Sequence, residues 1–164
     1  MSVILNIKRL VRYNYLKVLR LKTSSHSIAL GLALGVYGGC LPALPGLPLQ
    51  SIIGLLLAFI FRASKIAALV GTWISNPLNW FVFYWAEYKI GRLIIPVNIR
   101  IDPLSMNIQD FVSIGMKGVL VLLIGGAILG LPLGLLTYIV SLPLIRNYRR
   151  RRALRLLRKR TSLS

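Results

Sequence analysis

From Gly118 to Ile145 the chain runs for 28 residues without a charged side chain. As a helix rising 1.5 Å per residue, that run is about 42 Å long, more than the ~30 Å hydrocarbon core of a bilayer. A soluble fold could not hide it along with the rest of the apolar surface. Of the 164 residues, 56% are hydrophobic and only 15% charged, against roughly 25% charged in soluble domains. Lipid is the solvent that fits. The excess length calls for tilt or a kink, and Pro132 is the expected kink point.

The charges are unevenly signed and unevenly placed. There are 21 basic residues and three acids, Glu87, Asp102 and Asp110. In a soluble protein a net charge of +18 would suggest nucleic acid. Here the basic residues flank long apolar runs, a pattern produced by the positive-inside rule and by anionic lipid surfaces, so nucleic acid ranks far below the bilayer as a partner. Six basic residues precede Thr23, Arg62 and Lys65 form an internal pair, and nine lie between Arg146 and Arg160. The 87–110 segment holds only Lys89, Arg92 and Arg100. Setting the three richer groups on the cytoplasmic side puts both termini inside a bacterial-type inner membrane and makes the number of full crossings even.

The expected fold is an all-α integral membrane protein in three parts. Residues 1–22 form an amphipathic, basic, interfacial helix, with Ile7, Leu10, Val11, Tyr15, Val18 and Leu19 at helical spacing. Residues 23–145 form the membrane domain, and 146–164 a basic cytoplasmic tail. Within the membrane domain Thr23-Ser24-Ser25 offers a helix start. Pro42, Pro45 and Pro48, with Gly46, then divide the uncharged stretch into segments of about 15 and 13 residues (27–41 and 49–61). Both are short of the ~20 needed to cross. Two readings stay open: a re-entrant hairpin entering and leaving on one side, with two further crossings, or four thin crossings. Residues 66–86 are long enough to cross once, are broken at Ser75-Asn76-Pro77, and end in aromatic residues suited to a headgroup boundary. The 87–110 segment reads as a helix end and polar loop, with helix resuming near Asp110.

Two glycine ladders, Gly31–Gly35–Gly39 and Gly126–Gly130–Gly134, have the four-residue spacing that lines one helix face and lets another backbone approach closely. Their similarity hints at two related halves. A candidate binding site lies where helices break. Asn76 is a good N-cap and Pro77 suits the first helical position, so a half-helix should start there; Gln50, after Pro48, marks a similar start. Helix N-termini facing inward would attract an anionic group, with Thr72, Trp73, Ser75 and Asn76 adding hydrogen bonds. The alternative is a turn that satisfies its own backbone. Pro42, Gly46, Pro48 and Pro77 would be its structural breaks.

No catalytic, metal or cofactor site is expected. The one His, one Cys and three acids are scattered, without metal-ligand spacing or a nucleophile–base pair. Cys40 alone cannot form an internal disulfide. The Tyr37-Gly38-Gly39-Cys40 run is read as part of a membrane helix and not as a lipoprotein cleavage site. Glu87 is expected at the interface, paired with Lys89 or Arg92.

The run Ala29–Pro42, then Pro45-Gly46, Gly71-Thr72-Trp73-Ile74-Ser75-Asn76-Pro77-Leu78 and Tyr88-Lys89-Ile90-Gly91 resembles the bacterial "domain of unknown function 2062" family of small integral membrane proteins. The resemblance covers roughly residues 9–145. Asn79 departs from it, since the family commonly has Thr there. The resemblance implies an uncharacterised function, and relatives that look fused to glycosyltransferase-like domains point to polyprenyl-phosphate or envelope-glycan metabolism. Two readings follow: handling or transport of an anionic, lipid-linked substrate at the broken helices, or a non-transporting partner or scaffold for an envelope-glycan enzyme. Either leaves room for an oligomer.

Overall fold

A computed structural model describes residues 23–42, 49–73, 80–96 and 108–161. The interfacial helix expected over 1–22, the breaks at Gly46, Pro48 and Pro77, the site residues Ser75 and Asn76, and the 97–107 loop lie outside the described residues. All regular structure among the described residues is helical: α1 (Ser25–Gly39), α2 (Leu49–Ile60), α3 (Lys65–Thr72), α4 (Trp80–Ile94) and α5 (Ile108–Thr161).

Local chemistry fixes the ends. Ser24 caps α1, its side chain accepting from Ser27 N at 3.1 Å, and Ser64 caps α3 in the same way through Ala67 N at 3.4 Å. Between α2 and α3 the chain turns through Arg62 at φ 51°. Ala63 N bonds Ala58 O and Arg62 N bonds Phe59 O, the paired bonds of a Schellman turn. A left-handed non-glycine residue costs roughly 1 kcal/mol, and the two hydrogen bonds of the turn offset it.

Close backbone approach organises the packing. A Cβ on Gly31 would meet the Ser64 carbonyl, and one on Gly35 the Ala68 carbonyl, so α1 and α3 run parallel and nearly touch. Gly38 lies against Gln50 and Gly54, which sets α2 antiparallel to α1. Gly134, Gly130 and Gly126 face Ala33, Tyr37 and Cys40 in that order, so α5 is antiparallel to α1. Gly125 meets the Glu87 carbonyl and Gly91 the Val121 carbonyl, so α4 is antiparallel to α5. Each glycine removes the Cβ that would hold two helices apart.

Two apolar clusters lie at opposite ends of this assembly. Ile28, Ala29, Ala67 and Ile145 join α1, α3 and α5, while Tyr84, Tyr88, Val121 and Leu122 join α4 and α5. The exterior is apolar too: Ile52, Leu56, Phe59, Leu131, Leu135 and Ile139 are exposed. Among the described residues one helix, Lys117–Arg155, is long and apolar enough to cross a membrane.

The backbone leaves helical geometry at Gly115 (φ 63°, ψ −175°), which glycine reaches without steric cost, and Pro132 and Pro143 lie inside the helix beyond it. Pro132 is on the exposed side of α5. The basic residues after Ile145 continue α5, which extends to Thr161.

Candidate functional site

Two features meet where α1, α2 and α5 come together. The first is an apolar groove of about 490 Å³ between the α1–α2 pair and α5. Leu34, Tyr37, Leu57, Phe61, Leu131 and Tyr138 are among its walls, and Gly130 and Gly134 let it run deep. At one end Phe61 leads directly into Arg62, and Lys65 stacks its Nζ 4.7 Å from the Phe59 ring centre. At that end too, Tyr138 Oη and His26 Nδ1 are 2.7 Å apart, with the rings edge to face. The groove is therefore apolar along its length, and the Lys65–Phe59 contact lies on the other side of α2, since Phe59 is two residues from both Leu57 and Phe61.

The second feature is a junction at the C-terminal end of α1. Gln50 Nε2 donates to Leu41 O at 2.7 Å, tying the start of α2 to the end of α1. Pro42 and Cys40 are fully buried there. Across from them, adjacent residues of α5 touch different helices: Gly126 meets Cys40 O and Gly125 meets Glu87 O. Glu87 is 2% exposed, and its Oε2 has no hydrogen-bond partner among the described residues.

The position of Glu87 corrects the interfacial expectation. Lys89, its expected partner, points away and stacks on Trp85 with Nζ 4.0 Å from the ring centre, and Arg92 is exposed. The sequence held a signal for this: Tyr84, Glu87, Tyr88 and Gly91 fall at i, i+3, i+4 and i+7, a single helical stripe. That stripe is the buried face of α4, while Val82, Trp85 and Lys89 are outside it.

The residues proposed for an anion site divide. Thr72 is buried but returns its hydroxyl to Leu69 O at 2.8 Å, and Trp73 is 64% exposed at the end of α3. Gln50 is engaged with the α1 terminus. Of that set, the structure brings Gln50 and Pro42 to the junction; Ser75, Asn76 and Pro77 are not among the described residues. The glycine ladders, by contrast, lie inside the chain. Gly31 and Gly35 press on α3, Gly126, Gly130 and Gly134 press on α1, and Gly39 is buried.

Compared with known proteins, the chain matches the family described as "Uncharacterized protein conserved in bacteria (DUF2062)" over residues 8–154. No curated protein and no solved structure matches it.

Proposed function

The chain belongs to this uncharacterised bacterial family, and we propose that it is a multi-pass protein of the bacterial inner membrane that binds an anionic, lipid-linked molecule without catalysing a reaction on it. The groove carries this reading. Its apolar walls match a hydrocarbon chain, it opens beside an apolar exterior, and Phe61 in its wall directly precedes Arg62 in the chain. A lipid with a phosphate headgroup satisfies both ends at once, and each basic residue near the membrane surface contributes about 1 kcal/mol toward an anionic headgroup.

The packing supports a re-entrant α1–α2 hairpin. Ser64 N bonds Ser27 O at 3.0 Å, so the start of α1 lies level with the start of α3 and hence with Arg62 and Lys65. Ile28 and Ile145 share a cluster, which brings Arg146 to the same level. The other end of α1 lies level with Gly126, and Lys117 is nine residues further along α5. At 1.5 Å per residue the described end of α1 thus lies about 13 Å short of the level of Lys117. The α3 and α4 helices both run with α1 and against α5. Together they supply one crossing, and α5 supplies the other. The basic ends then share the cytoplasmic side, with both termini.

The scaffold reading loses the surface it would use, since the glycine faces are occupied by the chain's own helices. A membrane partner or a second copy would have to meet the outer faces of α2 or α5.

The test is lipid retention. The full-length protein, reconstituted in nanodiscs of phosphatidylethanolamine and phosphatidylglycerol and then extracted into mild detergent, is expected to keep phosphatidylglycerol in native mass spectra. Leu57→Trp, which fills the groove, should lose that lipid about tenfold, equivalent to 1.4 kcal/mol. Equal retention by a Leu57→Trp protein that elutes as the wild type does would refute the groove as a lipid site.

A further inference from the structure

The groove leaves one buried group unused. Glu87 sits in the packed interior at 2% exposure with Oε2 unpartnered among the described residues. Adjacent glycines of α5 meet the Glu87 carbonyl and the Cys40 carbonyl, so the C-terminal end of α1 lies at the level of Glu87. Helix C-termini carry roughly half a negative charge on their last carbonyls, and α1 has no basic residue in its last turn to offset it. A buried carboxyl and a helix C-terminus therefore share one level of the bundle, with no basic residue among the described neighbours there. Elsewhere in membrane proteins such an arrangement of helix end and carboxyl holds a small cation or a proton.

We propose that Glu87 and the C-terminal end of α1 form a binding site for one positive charge, either an alkali cation or a proton. The surroundings suit a small guest. On α5 the neighbours are Val121, Leu122, Gly125 and Gly126, none of which titrates, and the two glycines bring the backbone of α5 against both Glu87 and Cys40. The titratable groups packed around the site are Cys40 on α1 and, on the same face of α4 as Glu87, Tyr84 and Tyr88. Lys89 and Arg92 lie on the exposed side. Gln50, bonded to Leu41 O, holds the α1 terminus in position as a positioning residue. The site is independent of the groove: a cation could bind here whether or not a lipid occupies the groove.

Dicyclohexylcarbodiimide distinguishes the two guests, because it reaches carboxyls in apolar surroundings and attacks only those carrying a proton. Full-length wild-type protein in lipid nanodiscs would be labelled and the rate and site read by intact and peptide mass spectrometry. Labelling is expected at Glu87 and not at Asp102 or Asp110. If an alkali cation is the guest, sodium or potassium chloride at ten times its Kd, against choline chloride at the same ionic strength and pH, slows labelling about tenfold by mass action. If the guest is a proton, the salts are equivalent and the rate falls with rising pH alone. A Glu87 labelling rate indifferent to sodium, potassium and pH, or labelling confined to Asp102 and Asp110, overturns the proposal.

Discussion

In the α1–α3 unit the buried polar side chains end their hydrogen bonds on backbone close by. Ser64 accepts from Ala67 N and Thr72 donates to Leu69 O, each three residues away, while Gln50 donates to the Leu41 carbonyl that closes α1. In the α4–α5 pair the buried polar group is Glu87, and one of its oxygens finds no described partner. Both units are assembled by the same means, a glycine pressed against a neighbouring carbonyl. The difference lies in what the interior is asked to do. A membrane domain that pairs its hydroxyls and amides locally is meeting the structural requirement that buried polar groups be satisfied. A buried carboxyl oxygen with no described partner does not meet that requirement, and this contrast is what the proposed cation site would account for.

Substitutions can break or sharpen this contrast. The largest effect is expected at the shared device. Gly125→Leu would drive a side chain into the Glu87 backbone and should cost about 3 kcal/mol, separating α4 from α5; unfolding in mixed micelles would register the loss. Next, and opposite in sign, Glu87→Leu should stabilise the protein by about 1–3 kcal/mol in cation-free buffer, because a buried carboxyl oxygen with no described hydrogen-bond partner is replaced by an apolar group. Destabilisation in the same micelle assay would mean that the carboxyl has a structural partner after all. The smallest effect belongs to the locally paired side: Ser64→Ala removes the α3 cap and should cost about 1 kcal/mol, measured by the same unfolding transition.

Much of the helix order was legible in the chain. Ser24 began a helix as its side chain suggested, the proline-rich 42–48 stretch ended α1, and Arg62 with Lys65 marked a turn between helices. These features are local, and local chemistry decides caps and breaks. The four-residue glycine spacing correctly identified faces of close approach, but spacing cannot name the partner, and the ladders proved to serve α3 and α1. Glu87 was misjudged because three neighbours, Trp85, Lys89 and Arg92, belong at an interface. They occupy the outer side of α4, and only the stripe of Tyr84, Tyr88 and Gly91 revealed the inner one. The break at Gly115 was not read from the sequence, because a lone glycine does not announce the positive φ that interrupts the helix there. Of the broken-helix site, Gln50 and Thr72 are engaged with the protein's own backbone.

The account rests on a hairpin that enters from the basic side and returns to it. Accessibility to a membrane-impermeant thiol reagent measures that directly. In a Cys40→Ala background, single cysteines would replace Gly46 between α1 and α2, Ala63 in the basic turn, Asn98 in the segment after α4, and Ser162 after α5, and each would be probed in intact and in opened cells. The prediction is that 98 labels from outside, that 63 and 162 label only once the cytoplasmic side is exposed, and that 46 is shielded from the outside reagent. Labelling of 46 from outside as freely as 98 would contradict the hairpin and require four full crossings.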